Sequence, residues 1–153
     1  MSRVLRRTVL ASLLAAALAV VPAWAKEQQG VRWVASNAWL RKPPPGLDAA
    51  AVYFTVRNDT NDAMVVVGVK SPLAGHAMIH ATSTIEGQSR MRMREKMTVP
   101  AKGSLVFAPE GLHVMLTALT KTLEVGDKVP VTLELDDGGA IDIVATVRPL
   151  DAQ

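Results

Sequence analysis

The chain has 153 residues and no cysteine, with 17 Lys and Arg against 14 Asp and Glu. The lack of cysteine excludes disulfides, thiolate catalysis and cysteine metal ligands. Three of the basic residues lie within the first 25, so residues 26–153 hold 14 basic and 14 acidic residues and are formally neutral. A neutral chain offers no basic surface for nucleic acid, and we expect no nucleic-acid partner.

The first 25 residues have the pattern of a secretory signal peptide. Three arginines precede an apolar run over residues 8–21, and an Ala-Trp-Ala sequence ends at residue 25. A basic start, a short apolar centre and an Ala-x-Ala end are typical of a cleaved signal. The run is shorter than the roughly 18 residues that a spanning helix needs. We therefore expect removal of residues 1–25, export to the periplasm, no stable membrane anchor and no lipid-modified cysteine.

Residues 26–153 are predicted to form a single domain of short β-strands. The strand-like segments are 31–40, 50–58, 63–71, 77–85, 89–95, 104–108, 111–119, 130–136 and 140–148. Turn-forming residues separate them, including Pro-Pro-Pro-Gly at 43–46 and Asp137-Gly138 at the tip of a hairpin. Nine strands at this spacing, with no helical period, predict an antiparallel β-sandwich or barrel.

Histidine and methionine are concentrated in one part of the chain. All three histidines, and five of the six methionines after residue 25, lie between positions 76 and 115. Thioether sulfur suits Cu(I), whereas imidazole suits Cu(I), Cu(II) and zinc. A set without carboxylate or thiolate fits zinc and calcium poorly and cannot form a blue-copper centre. What remains is a His/Met site for Cu(I).

Strand alternation places several of these side chains on shared faces. Between residues 111 and 119, apolar residues occupy every second position and predict a buried face. The pairs that alternation predicts are His113 with Met115 on the opposite face, and His76 with Met78 and His80 on one face of an earlier strand. Two such strands side by side would bring two imidazoles and two thioethers together.

Taken singly, these residues favour ordinary roles. Met91 and Met93 alternate with three arginines that require solvent, so by default both methionines would point into the core. A lone histidine on a strand is more often a hydrogen-bonded surface or core group than a ligand. We assign Met64 and Met97 to packing.

The spacing of four residues resembles a known copper signature. Ten residues separate His80 from Met91, twenty-one separate Met91 from His113, and one separates His113 from Met115. This pattern, His-x10-Met-x21-His-x-Met, is that of the periplasmic copper chaperones of the PCuA(C) family. Three further segments are similar to that family: AWLRKPPPGLDAAAVYFTVRNDT, VPAKGSLVFAPEGLHVML and LEVGDKVPVTLELDDGG. The resemblance extends over roughly residues 31–148.

The resemblance implies a cupredoxin-like Greek-key β fold that binds one Cu(I) near its surface. Carried over residue by residue, it implies His80, Met91, His113 and Met115 as ligands. It further implies delivery of copper to the copper centre of respiratory cytochrome c oxidase, in company with other copper-assembly proteins. Under this reading Met91 is expected near a strand end, where inward and outward faces are not cleanly separated.

Several alternatives remain open at this stage. His76 and Met78 are either auxiliary ligands or ordinary surface residues. A periplasmic copper buffer for tolerance would use the same site as a delivery protein, and a β domain without metal would explain the strands but not the His/Met cluster. We expect no enzyme, because the chain has no Ser/His/Asp or Cys/His set and no His-Glu-x-x-His sequence. We expect a monomer.

Overall fold

Ten β-strands and no helix make up the part of the chain that the computed structural model describes, residues 32–152. The strands are β1 (Trp33–Arg41), β2 (Ala50–Asn58), β3 (Met64–Lys70), β4 (Ala74–Ile85), β5 (Gln88–Met93), β6 (Met97–Val99), β7 (Ser104–Phe107), β8 (Leu112–Leu119), β9 (Lys128–Leu135) and β10 (Ala140–Arg148). All nine predicted strands are present, and the three-residue β6 is the additional strand of the described residues. The predicted signal peptide lies outside the described residues.

The strands form one sheet that curls around a single core. Its order is β5-β4-β8-β7-β2-β1-β10-β9-β3-β6, with a further pairing of β8 with β2. Most pairs are antiparallel, while β1 with β10 and β7 with β8 are parallel. β3 also packs against β4 although six strands separate them in the sheet order. The prediction of an all-β sandwich or barrel is confirmed. Within residues 32–152, no helix is long and apolar enough to span a membrane.

Side-chain alternation determines which face of each strand enters the core. In β4 and β8, the aliphatic side chains of Ile79, Val114 and Leu116 are buried. Each such burial contributes about 1.5–3 kcal/mol to folding. Because successive side chains of a strand point to opposite faces, the residues between them are directed to the outer face of the sheet. This outer face of β4 and β8 is where the predicted ligands lie.

Two local features position side chains near that face. A β-bulge in β1, where Asn37 has a φ of 53°, inserts one residue so that Trp39 lies opposite Tyr53. The hairpin between β4 and β5 turns at Glu86 and Gly87, whose φ values are 52° and 75°. Positive φ at both central residues is the geometry of a two-residue hairpin turn, which fixes the register of β5 against β4.

Asn58, at the end of β2, is the polar residue that joins β2 to the segment containing β6. Its side chain is fully buried. Its Nδ2 donates to the carbonyl oxygens of Asp62, Val99 and Pro100, and its Oδ1 accepts from the backbone N–H and the hydroxyl of Thr60. Since every polar atom of the amide is satisfied, removal of the side chain leaves one buried backbone carbonyl, that of Val99, and several partly buried groups without these partners.

We expect Asn58→Ala to lower the free energy of unfolding by about 2–3 kcal/mol, because one buried and several partly buried groups lose their hydrogen bonds together. Chemical denaturation followed by circular dichroism measures this change. Arg57→Ala is the matched control: it removes only an exposed ion pair with Asp59, whose loss costs less than about 1 kcal/mol. Equal losses in the two variants would contradict the structural role of Asn58.

Candidate metal centre

Two imidazoles face each other across β4 and β8. His80 and His113 are directly opposite in the register of these strands. Their ring centroids are 5.8 Å apart, and the rings are nearly perpendicular at 87°. Met115 follows on the same face of β8, directly opposite Met78 of β4. The outer face of this strand pair therefore brings three of the four predicted ligands together.

His113 is the buried member of the group, with 4% of its surface exposed. Its Nδ1 lies 3.1 Å from the carbonyl oxygen of Gly111. Because a carbonyl oxygen only accepts hydrogen bonds, Nδ1 carries the hydrogen and donates it. The other ring nitrogen, Nε2, then has a free lone pair. In metal-binding histidines, a hydrogen bond donated by the ring nitrogen that does not bind the metal fixes the tautomer and the orientation of the ring.

His80 is half-buried, and its pKa lies below the usual value for histidine. Burial lowers the pKa of His80, and the nearby His113 lowers that pKa further. Both effects disfavour a positive charge on the ring. A neutral imidazole is the form that binds a metal ion, because protonation removes the lone pair.

Met91 joins the group from β5. Its Sδ lies 3.1 Å from Nδ1 of His80, close enough for an N–H to donate to the sulfur. The expectation that Met91 and Met93 point into the core is wrong, since 51% and 56% of these residues are exposed. The hairpin of β4 and β5 extends beyond the core, so both faces of β5 are exposed. Met91 lies two residues before the end of this strand.

Three strands thus place two imidazoles and two thioethers at one location. The donors range from buried His113 to exposed Met91. All four are neutral in the forms that bind metal, and the combination of nitrogen with soft sulfur suits Cu(I). Within residues 32–152, no group of three or more His, Cys, Asp or Glu could hold a metal ion.

His76 and Met78 lie on the same face but differ in their relation to the site. His76 is exposed and lies opposite Thr117. Three residues lie between it and His80, and the four steps of rise along the strand span about 13 Å. Met78 is half-buried and directly opposite Met115. His76 is therefore too distant to share one ion with His80, whereas Met78 adjoins the ligand group.

Aromatic side chains form the wall of the site on the β2 side, which the sequence analysis did not single out. The Tyr53 ring centroid is 6.5 Å from that of His113, and Trp39 packs behind Tyr53 at 4.8 Å. Arg41 and Arg148 lie over the Trp39 ring. Burial raises the pKa of Tyr53, opposed by Arg41, so the phenol stays protonated. The available signal was the chain's one tyrosine, which alternates with Thr55 and Arg57 on the outward face of β2.

Met64 and Met97 take the packing roles predicted for them. Met64 is 4% exposed and belongs to the core. Met97 is half-buried and packs against that core. Both lie on strands away from the ligand group, on β3 and β6. These two methionines therefore belong to the packing of the domain and are distinct from the methionines of the outer face.

Comparison with known proteins identifies the family. Residues 34–147 match the model of the LpqE-like family, described as "Putative lipoprotein LpqE-like". The chain is 32% identical over 155 residues to "Putative lipoprotein Lxx21020" of Leifsonia xyli subsp. xyli, covering 96% of this chain and 91% of that protein. Both matches extend over most of the β domain.

Solved structures with the same fold include copper-bound proteins. The copper-bound PCuAC domain from PmoF2 has a TM-score of 0.64 and 26% identity, covering 77% of this chain and 93% of that domain. The Cu(I) form of DR1885 from Deinococcus radiodurans has a TM-score of 0.62 and 34% identity, covering 81% of this chain and 83% of that one. The predicted cupredoxin-like fold is confirmed by these neighbours. The chain belongs to the LpqE-like family, the family of PCuAC-type copper-binding domains.

Proposed function

We propose that this protein is an exported copper chaperone that binds one Cu(I) ion through His80, Met91, His113 and Met115. The observation that carries the proposal is the convergence of these neutral nitrogen and sulfur donors on one outer face, where the hairpin of β4 and β5 meets β8 from later in the chain. The copper-bound PmoF2 domain and the Cu(I) form of DR1885 support copper as the cargo. Relatives of this type are binding domains, which favours a non-enzymatic role.

The burial of the ligands suggests how copper is held and released. His113 is buried and oriented by Gly111, so it can act as the fixed ligand. Met91 is exposed on an edge strand and is the ligand that an acceptor reaches first. Transfer would proceed by ligand exchange, in which a donor of the acceptor replaces one thioether at a time. The neutral ligand set leaves the charge of the ion uncompensated, which favours release over permanent retention.

The periplasm is the proposed location, and cytochrome c oxidase is the proposed destination of the copper. Export is supported by the signal-like first 25 residues and by the word lipoprotein in the name of the Leifsonia relative. Delivery to the copper centre of the oxidase, with a monomer as the carrier, is supported by the family resemblance alone. A periplasmic copper buffer would use the same ligands and is the second candidate.

The ligand assignment predicts how many Cu(I) ions the protein binds and which substitutions weaken that binding. The wild-type residues 26–153 should bind one Cu(I) in competition with a chromogenic chelator under reducing conditions. His113→Ala and Met115→Leu should each weaken binding at least about tenfold, because each removes one donor from the ion. His76→Ala is the matched control and should leave affinity unchanged, since its imidazole is about 13 Å along the strand from His80.

X-ray absorption spectroscopy of the copper-loaded protein is the measurement that can contradict the ligand assignment. We expect a mixed shell of nitrogen and sulfur around the copper. Absence of copper–sulfur scattering would show that the methionines are not ligands and that the site assignment is wrong. Equal affinity in the wild type and in His113→Ala would have the same consequence.

The environment of His80 predicts its titration. In the copper-free protein the pKa of His80 should lie below 6.5, because burial and His113 both disfavour its charged form. Protons then compete less with Cu(I) for this ring. His113→Ala removes the electrostatic effect of His113 but not the burial of His80, so it should raise the pKa of His80 part of the way toward its ordinary value. NMR titration of the imidazole carbons measures both; a wild-type pKa at or above 6.5 would contradict this account.

Delivery and buffering predict different phenotypes for a strain that lacks the gene. Under delivery, oxidase activity should fall when copper is scarce and recover when copper is added. Under buffering, the strain should grow normally at low copper and become sensitive at high copper. Complementation with His113→Ala is the control, because it should fail to restore whichever phenotype depends on the copper site.

A further inference from the structure

β5 presents two thioethers to the copper site. Met91 lies opposite Thr82 and reaches His80 diagonally, with its sulfur 3.1 Å from the ring. Met93 lies directly opposite His80 in the register of the hairpin. Directly opposed residues have Cβ atoms about 4.5–5.5 Å apart, closer than diagonal neighbours at about 7–8 Å. By backbone position, Met93 is therefore the nearer of the two to His80.

Met91 and Met93 are two residues apart on β5 and therefore lie on the same face. Arg92 lies between them in sequence, but strand alternation directs its side chain to the opposite face. Met93 is 56% exposed, so its thioether is free to move. The two-residue turn at Glu86 and Gly87 holds the register that places His80 between Met93 on β5 and His113 on β8.

We infer that Met93 is a further thioether ligand for the carried copper ion, interchangeable with Met91. The ion remains on His80, His113 and Met115 while its fourth donor passes from one β5 methionine to the other. One copper–sulfur bond breaks as an equivalent one forms, and no electron is transferred. The inference rests on the proposed function and adds to it a specific exit position on the edge strand.

This exchange places copper where an acceptor can reach it. β5 is the first strand in the sheet order, so its outer edge has no neighbouring strand within the described residues. An ion on Met93 has one ligand at the most exposed methionine of the site. A thioether of the acceptor can then bind the ion while the two imidazoles remain in place. Two equivalent donors also let the ion change position without losing a coordination bond.

The test is a double-mutant cycle with Met91→Leu, Met93→Leu and the combined variant. Leucine conserves volume and removes only the sulfur. Each single variant should weaken Cu(I) binding by less than about tenfold, because the other methionine replaces the lost donor. The combined variant should lose at least about tenfold more than the product of the two single effects, a size typical of coupled neighbours. Met97→Leu, on β6, is the control and should bind as the wild type does.

Two results would overturn the inference while leaving the proposed function intact. One is a Met91→Leu variant as weak as the combined variant, together with an unchanged Met93→Leu variant. The other is strictly multiplicative losses in the cycle. Absence of Cu(I) binding by the wild type would instead overturn the proposed function, and this inference with it. Circular dichroism verifies that the variants are folded, which the exposure of β5 leads us to expect.

A direct observation complements the affinities. With 13C-labelled methionine methyl groups, addition of one equivalent of Cu(I) to Met91→Leu should shift the Met93 methyl resonance strongly. The methyl resonance of buried Met64 should stay in place and serves as the internal reference. A Met93 shift no larger than that of Met64 would contradict the role of Met93 as a ligand.

Discussion

The antiparallel register of β4 against β8 is the constraint on which the proposed copper site depends. It places His80 opposite His113 and Met78 opposite Met115. Side chains alternate with a period of two, so a slip of one residue would turn the outer residues of either strand into the core. Burial of Ile79 and Val114 on the inner face disfavours such a slip. The core therefore determines the geometry of the proposed metal centre, although the four predicted ligands lie on the outer face and only His113 among them is buried.

Different physical terms position the donors of β8 and those of β5. β8 lies inside the sheet, between two strands and over the core, so the backbone of His113 is held in place. The hydrogen bond from its Nδ1 to the carbonyl oxygen of Gly111 then orients the ring. β5 pairs only with β4 and has no buried residue. Its register comes from the tight turn and the ladder of the hairpin rather than from packing. The site thus combines a rigid half with a half whose opening requires little loss of buried surface.

The sequence predicted the rigid half well and the exposed half poorly, for a physical reason. Alternation of apolar residues in β8 predicts that His113 and Met115 share the outer face, and the structure shows this face. The same logic failed at β5, because it assumes that one face of a strand is buried. Where both faces are exposed, the arginines beside Met91 carry no information about its direction.

Other features depended on contacts that no local pattern contains. The Cα register between β4 and β5 follows from the position of the turn at Glu86 and Gly87, which strand segments alone left undefined. The wall formed by Tyr53 and Trp39 depends on the bulge at Asn37, which moves Trp39 by one position relative to β2. The spacing of the four predicted ligands was informative because it came from resemblance rather than from alternation.

The exposure of β5 also explains why a thioether on this strand is useful for releasing copper. A buried thioether would hold copper by packing as well as by coordination, and its release would require the core to open. A thioether on a solvent-exposed edge strand adds coordination without adding buried surface, so its departure costs only one weak bond to a neutral donor. In the proposed site, the free energy that stabilises the fold and the free energy that would hold the ion are therefore largely separated. β8 would contribute to both, whereas β5 has no buried residue and would contribute to the ion without adding to the core.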